Sequence, residues 1–188
     1  MRRGTLEKTK KPVKAAVGTT LEDKTVARRS AVEEVLDMFK SGKRDMAAAA
    51  KIVNNAEGDN AQNFVSSLEQ LSDVLCSIGY FQKAIDLLNA GLKYLPKNPQ
   101  IHELIARVYF IMEQFDKCIV HQEKAIDFKG NSNCFSNHSD IGLAYYRLGI
   151  QQANNKSFDQ AFKHCRLSLT ENPRYANAMV NMGLVYRH

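Results

Sequence analysis

The sequence predicts an all-α protein, an antiparallel helix-pair solenoid, and three observations carry that prediction. Helix breakers are scarce, with four prolines and ten glycines in 188 residues, so long helices are permitted. Apolar residues fall at helical spacing, as Val32, Val35, Leu36 and Phe39 do in RRSAVEEVLDMFK. One pattern of bulky, small and aromatic residues then returns several times along the chain, which marks a stack of similar units.

The first element is a charge feature. Residues 1–29 carry nine Lys/Arg and three Asp/Glu, and residues 30–188 carry seventeen of each, so the whole net charge of +6 belongs to the N-terminal end. Residues 1–24 read as a basic, flexible tail. Such a tail either seeks an anionic partner (nucleic acid, acidic protein or lipid headgroups) or only solvates the end.

Residues 25–61 read as a helix pair. The second half, SGKRDMAAAAKIVNNA, fits the later repeats with Ala47 in the place that Ala84 takes below, and EGDNA (57–61) makes a break.

From residue 65 the repeat is plain. LEQLSDVL (68–75), HELIARVY (102–109), HSDIGLAY (138–145) and MVNMGLVY (179–186) share one pattern. The fourth residue is bulky and apolar (Leu71, Ile105, Ile141, Met182), the fifth is small (Ser72, Ala106, Gly142, Gly183), and Leu75, Tyr109, Tyr145 or Tyr186 stands three positions later. Each of the first three is succeeded by a second segment in which Phe81, Phe115 and Phe158 coincide, as do the small residues Ala84, Cys118 and Ala161. Pro96, Gly130 and Pro173 stand at the ends of these segments. A small residue on each helix lets the two axes approach, and a proline or glycine at the close stops the helix.

Over 65–188 this pattern resembles the tetratricopeptide repeat (TPR), a 34-residue helix–turn–helix unit. The resemblance implies a right-handed solenoid with units at 65–98, 99–132 and 135–175, helix A of an incomplete unit at 176–188, and 25–61 as a degenerate copy. A tryptophan common at the start of the family's helix A is absent; Leu68, His102, His138 and Met179 stand there. The interval from Ala84 to Cys118 is 34 residues, but that from Cys118 to Ala161 is 43. The excess near RLGIQQANNKSF either lengthens both helices by about two turns or forms a protruding loop.

Family members bind peptides or helices on the concave face made by their A helices. The resemblance places Ser66, Glu69, Asp73 and Cys76 there, then Gln100, Glu103, Arg107 and Phe110, then Ser136, Ser139, Leu143 and Tyr146, then Asn177, Val180, Leu184 and Arg187. Partner-binding candidates on this face are Glu69, Asp73, Glu103, Arg107, Phe110, Leu143 and Tyr146. They run from acidic to apolar, which suits a partner segment with a basic end and an apolar end. The acidic Glu69 and Asp73 stand where a carboxylate clamp for acidic chaperone tails needs Lys and Asn, so such tails are not expected ligands. A second candidate surface is the open C-terminal end, Met182, Val185 and Tyr186, whose core-like pattern awaits cover from a continuing chain or another subunit.

Catalysis and metal binding find little support. GxGxxG, P-loop and GxSxG motifs are absent. Cys118 and His121, or Cys134 and His138, do not have the spacing of a zinc finger, and Cys118 and Cys165 fall at core positions of helix B. No catalytic residue, metal or cofactor is therefore assigned. The four cysteines form no CxxC and read as free thiols, pointing to an intracellular setting, cytoplasmic first, with cytoskeletal, ciliary or mitochondrial ones as alternatives; no run of about 18 apolar residues exists to span a membrane. The expected role is a non-enzymatic scaffold or adaptor holding protein partners in a multi-subunit complex. The competing role, an RNA- or ribosome-associated protein, would rest on the basic tail alone, because the body has no basic stripe.

Overall fold

Asparagines open several of the helices. The side chains of Asn60, Asn98 and Asn154 accept hydrogen bonds from the backbone N–H groups of Asn63, Ile101 and Lys156, satisfying donors that the first helical turn leaves unpaired. At Asn98 the cap is reinforced by Pro99 as first helical residue, where its missing N–H costs nothing. Asp45 does the same work further upstream, accepting from Ala47 and Ala48.

The computed structural model describes residues 32–188 apart from 40, 42, 44, 58 and 59. The basic tail, 1–24, lies outside the described residues. The helices are α1 (32–39), α2 (Met46–Glu57), α3 (Ala61–Ser77), α4 (Phe81–Leu92), α5 (Pro99–Ile111), α6 (Phe115–Lys129), α7 (Phe135–Gln152), α8 (Asn155–Glu171) and α9 (Ala176–Tyr186). No strand occurs among the described residues. The odd-numbered members are the A helices and the even-numbered ones the B helices, and from α2 to α9 each packs on its neighbours in chain order.

The A-to-B turns after α3, α5 and α7 each use one left-handed residue, of three different types: Gly79 (φ 80°), Glu113 (φ 57°) and Ala153 (φ 49°). In all three the next N–H (Tyr80, Gln114, Asn154) reaches back five residues, to the carbonyls of Leu75, Tyr109 and Gly149. This bond answers the orphan carbonyls at the helix end and fixes the hairpin. The non-glycine cases carry a backbone cost that the packing on either side must hold in place.

The repeat positions form the core. Leu71, Ile105 and Ile141 are fully buried, and so are Ala84, Ala106 and Ala161. One cluster runs from Val35 on α1 to Val108 on α5, and a second from Ala106 on α5 to Leu148 on α7, so α5 belongs to both. The extra residues before Ala161 are helical: α7 and α8 have 18 and 17 residues, against 13 and 15 in α5 and α6. Near the tip of this long pair Gly149 lies against the Phe158 ring, too close for a Cβ to fit without movement.

One position in the first pair departs from the sequence reading. Ala47 is exposed, whereas Ala49 and Ala50 are fully buried. The Asp45 cap starts α2 so that Met46 corresponds to Phe81, and the fourth helical residue, Ala49, then takes the place of Ala84.

Candidate partner-binding groove

The concave surface is centred on α5. Glu103 and Arg107 lie one turn apart on the same face of that helix. The Arg107 guanidinium spans to α3, with Nη1 3.2 Å from Glu69 Oε1 and Nη2 2.8 Å from Asp73 Oδ1. All three side chains are close to half exposed (45%, 46% and 58%), so each contact adds little stability. Their effect is to commit the guanidinium to two carboxylates of this chain.

Glu103 turns the other way. It pairs with Lys129 of α6 and accepts a hydrogen bond of 2.8 Å from Asn137 Nδ2 on α7. Asn137 is only 1% exposed; it also donates to Gln122 Oε1 (2.7 Å) and accepts from Lys129 Nζ (2.8 Å). Gln122 in turn donates from Nε2 to Asp140 Oδ2 at 3.2 Å. Every member of this network has a hydrogen-bond partner, so it ties α5, α6 and α7 together.

Two grooves flank α5. The smaller, about 210 Å³, lies toward α3 and is lined by Ser66, Glu69, Gln100, Glu103 and Arg107 among others. The larger, about 440 Å³, lies toward α7, with Phe110, Ile111, Leu143 and Cys118 as its apolar wall and Arg107, Glu103, Ser136, Asn137, Gln122 and Asp140 as its polar part. Phe110 is fixed edge-on against Phe115, centroids 5.3 Å apart, while Ile111 is 50% exposed. Burial, and next the neighbouring Glu103 charge, raise the Asp140 carboxyl to about 6; the Gln122 hydrogen bond and Lys129 oppose the rise. The residue is nevertheless open to the groove, so water screens part of that effect. Burial pushes the Cys118 thiol in the floor to about 12 and Cys165 to about 11, far from a nucleophilic thiolate.

No protein-family model and no curated protein matches the sequence. Solved structures do. A crystal structure of MamA superposes with a TM-score of 0.55 at 20% identity, covering 80% of this chain and 81% of that one. The second TPR domain of human RPAP3, solved in complex with the HSP70 peptide SGPTIEEVD, gives a TM-score of 0.55 at 15% identity, covering 66% of this chain and 96% of that one. YrrB, described as a TPR protein with an unusual peptide-binding site, gives 0.53 at 15% identity over 84% and 75% of the two chains.

The chain has the tetratricopeptide-repeat fold.

Within this TPR array the concave candidates divide. Glu69, Asp73, Glu103, Arg107, Phe110 and Leu143 stand on or beside the two grooves. Tyr146 does not; it is 9% exposed, edge-on to Phe158 and His188 with centroids at 5.9 and 5.5 Å. Ser139 is likewise fully buried, its hydroxyl and carbonyl taking hydrogen bonds from Asn181 of α9. The helices α8 and α9 and the last residue thus cover both positions, whereas Ser136 and Asp140 keep the groove side. Gln122 and Asn137 escape the sequence reading. Their signal is faint: a polar residue one turn after the core cysteine Cys118, and an asparagine beside the helix start at Phe135.

At the other end of the TPR array, α9 packs on α7 and α8 through one side only. Met182 and Val185 are half-covered, and Tyr186, 72% exposed, touches Phe162 edge-on at 5.6 Å. Val180 (63%) and Met179 (49%) extend this apolar surface, and nothing lies within 4 Å of where a Cβ on Gly183 would stand.

The histidines prove to be a repeated packing device. His102 and His121 face each other with Nδ1 atoms 3.1 Å apart, and His138 and His164 at 3.3 Å; Tyr109 and Tyr145 flank the pairs at equivalent places. One ring of each pair must carry the Nδ1 proton and the other must not. No group of three or more potential metal ligands occurs among the described residues. Burial first, then the facing ring, then a nearby lysine hold His121 and His164 down to about 4, and burial lowers His102 and His138 too. A folded-state value below the ordinary one means that the unfolded chain binds more protons. The contribution of these rings is therefore present above about pH 6.5 and lost as pH falls toward 4. Asp140, whose folded value is raised, acts in the opposite sense, contributing below the ordinary carboxylate range and losing that contribution as pH rises through about 6. The four rings outnumber it, and with solvent screening of the half-buried pairs the net loss between pH 7 and 4.5 is on the order of 1–2 kcal/mol. Thermal melts of the native chain and of the double variant His121→Phe/His164→Phe check this: the native midpoint should fall more steeply with acidification, and parallel pH profiles would contradict it.

Proposed function

We propose that this chain is a non-enzymatic scaffold that holds protein partners on its concave face, with the open apolar end of α9 as a second contact. The observation that carries this reading is the groove of about 440 Å³ between α5 and α7, whose size suits one or two side chains of a bound segment and which combines an apolar wall with fixed polar groups. The peptide named with the RPAP3 domain and the peptide-binding site named for YrrB support it by likeness of fold. The free cysteines, three of them buried, fit the intracellular setting that belongs to the same proposal. Among the described residues no helix is long and apolar enough to cross a membrane. Acidic chaperone tails fit poorly, because Arg107 is already engaged by Glu69 and Asp73.

Site-specific photo-crosslinking tests the proposal. A benzophenone side chain in place of Leu143, at the groove, or of Tyr186, at the open end, should capture the same partner proteins from cells in repeated experiments. The same group in place of Lys163, exposed on α8, serves as control. Equal capture at all three sites, or none at Leu143 and Tyr186, would overturn it.

A further inference from the structure

The larger groove contains a carboxylate that forms no ion pair among the described residues. The two grooves and the ion pairs at their edges involve four carboxylates, Glu69, Asp73, Glu103 and Asp140, and two cations, Arg107 and Lys129. Both cations are committed: Arg107 to Glu69 and Asp73, Lys129 to Glu103 and the Asn137 side-chain oxygen. Asp140 has the Gln122 amide and the through-space pull of Lys129, and among the described residues no ion pair. It stands open to the groove, one turn from Leu143 and across from Phe110 and Ile111.

We propose that this groove recognises a partner segment carrying a lysine or arginine next to a bulky apolar residue, the cation seated at the Asp140 carboxylate and the apolar side chain against Phe110, Ile111 and Leu143. The inference deepens the concave-face reading above and rests on it. Charge complementarity selects the occupant. A cation entering the groove meets Asp140 and relieves its repulsion with Glu103, which together with burial is what makes the empty carboxyl reluctant to ionise. A segment led by a carboxylate would meet Asp140 and Glu103 head-on and would have to strip Arg107 or Lys129 from partners they already hold. A neutral apolar segment would fill the wall but leave Asp140 desolvated beside it. The other groove carries the same net charge, two carboxylates against one guanidinium, but both acids are already ion-paired to Arg107 and about half exposed, so a cation gains less there.

A library of random dodecapeptides displayed on phage, panned on the full chain, gives the test. Enriched sequences should carry Lys or Arg within a few residues of Leu, Ile, Met or Phe. Synthetic copies of the enriched peptides should bind at least tenfold more tightly than copies with Gln in place of the basic residue. Asp140→Asn should erase that difference while leaving the Gln copies as they were, and Asp140→Glu should keep it. Melting curves for both variants establish that they are folded. Enrichment of acidic sequences, enrichment without charge preference, or a preference that survives Asp140→Asn would overturn the proposal while leaving concave binding standing. Absence of any enrichment, or enriched peptides whose binding ignores Leu143→Ala, would overturn the concave reading itself, and this inference with it.

Discussion

Gly142→Ala should lower the stability of the array by roughly 1–3 kcal/mol, although alanine outranks glycine by about 1 kcal/mol in a helix interior. The reason is the approach of α7 to α8. A Cβ at residue 142 would stand 2.6 Å from Cys165 Sγ and 3.3 Å from both the Ala161 carbonyl oxygen and the Cys165 nitrogen. Cys165 is fully buried, so the sulfur has nowhere to go, and two of the three obstacles are backbone. The helices must part, and the contacts of Ile141 and Ala161 loosen with them. Gly183 occupies the same repeat position in α9, yet nothing lies within 4 Å of its missing Cβ. Gly183→Ala should therefore stabilise by about 0.5–1 kcal/mol through helix propensity. At roughly 2–4 °C per kcal/mol for a chain of this size, the two variants should melt on opposite sides of the native protein. A neutral Gly142→Ala would mean that α7 and α8 are not packed this closely, and a destabilising Gly183→Ala would mean that something already covers α9.

Asn137→Ala should cost about 2–4 kcal/mol, on the basis of about 1–3 kcal/mol for each buried polar group left without a partner. Asn137 is the shared member of the Glu103–Lys129–Gln122 network, and Gln122, 4% exposed, has no water to turn to when the asparagine amide is removed. Gln122→Leu measures the coupling. Because Asn137 and Gln122 touch at 2.7 Å, the double variant should be less unstable than the sum of the singles by about 0.5–3 kcal/mol. Strict additivity in chemical denaturation would show that the two side chains do not act as a unit.

The range of each interaction decides how much of this is legible in the sequence. The helix pairs and their close contacts depend on residues that recur within one unit. Leu71, Ile105 and Ile141, with Ser72, Ala106 and Gly142 beside them, therefore announce the core without any knowledge of the neighbours. Ser139 and Tyr146 read as concave residues because they repeat the positions of Glu103 and Phe110 in the preceding unit; only the arrival of Asn181 and His188 covers them. The repeat pattern sets Ala47 two residues away from the true packing position because the Asp45 cap, which fixes where α2 begins, carries no repeat signature of its own. Asn137 and Gln122 lie fifteen residues apart and act through a three-helix junction, a relation that no pattern along one helix displays.

The polar contacts between successive A helices have a mechanical consequence. Arg107 reaches back to Asp73, Asn137 to Glu103 and Asn181 to Ser139, at intervals of 34, 34 and 42 residues. Each is a rung between one unit and the next, and rungs of this kind set the bend of a stack whose units touch only their neighbours. They are not equally stiff. The first is solvated and made of opposite charges, so it softens as the Debye length shrinks from about 10 Å at 0.1 M salt to about 3 Å at 1 M. The second and third are shielded by the helices around them. Springs in series stretch at the weakest one, so added salt should loosen the α3/α5 rung before the two that follow it.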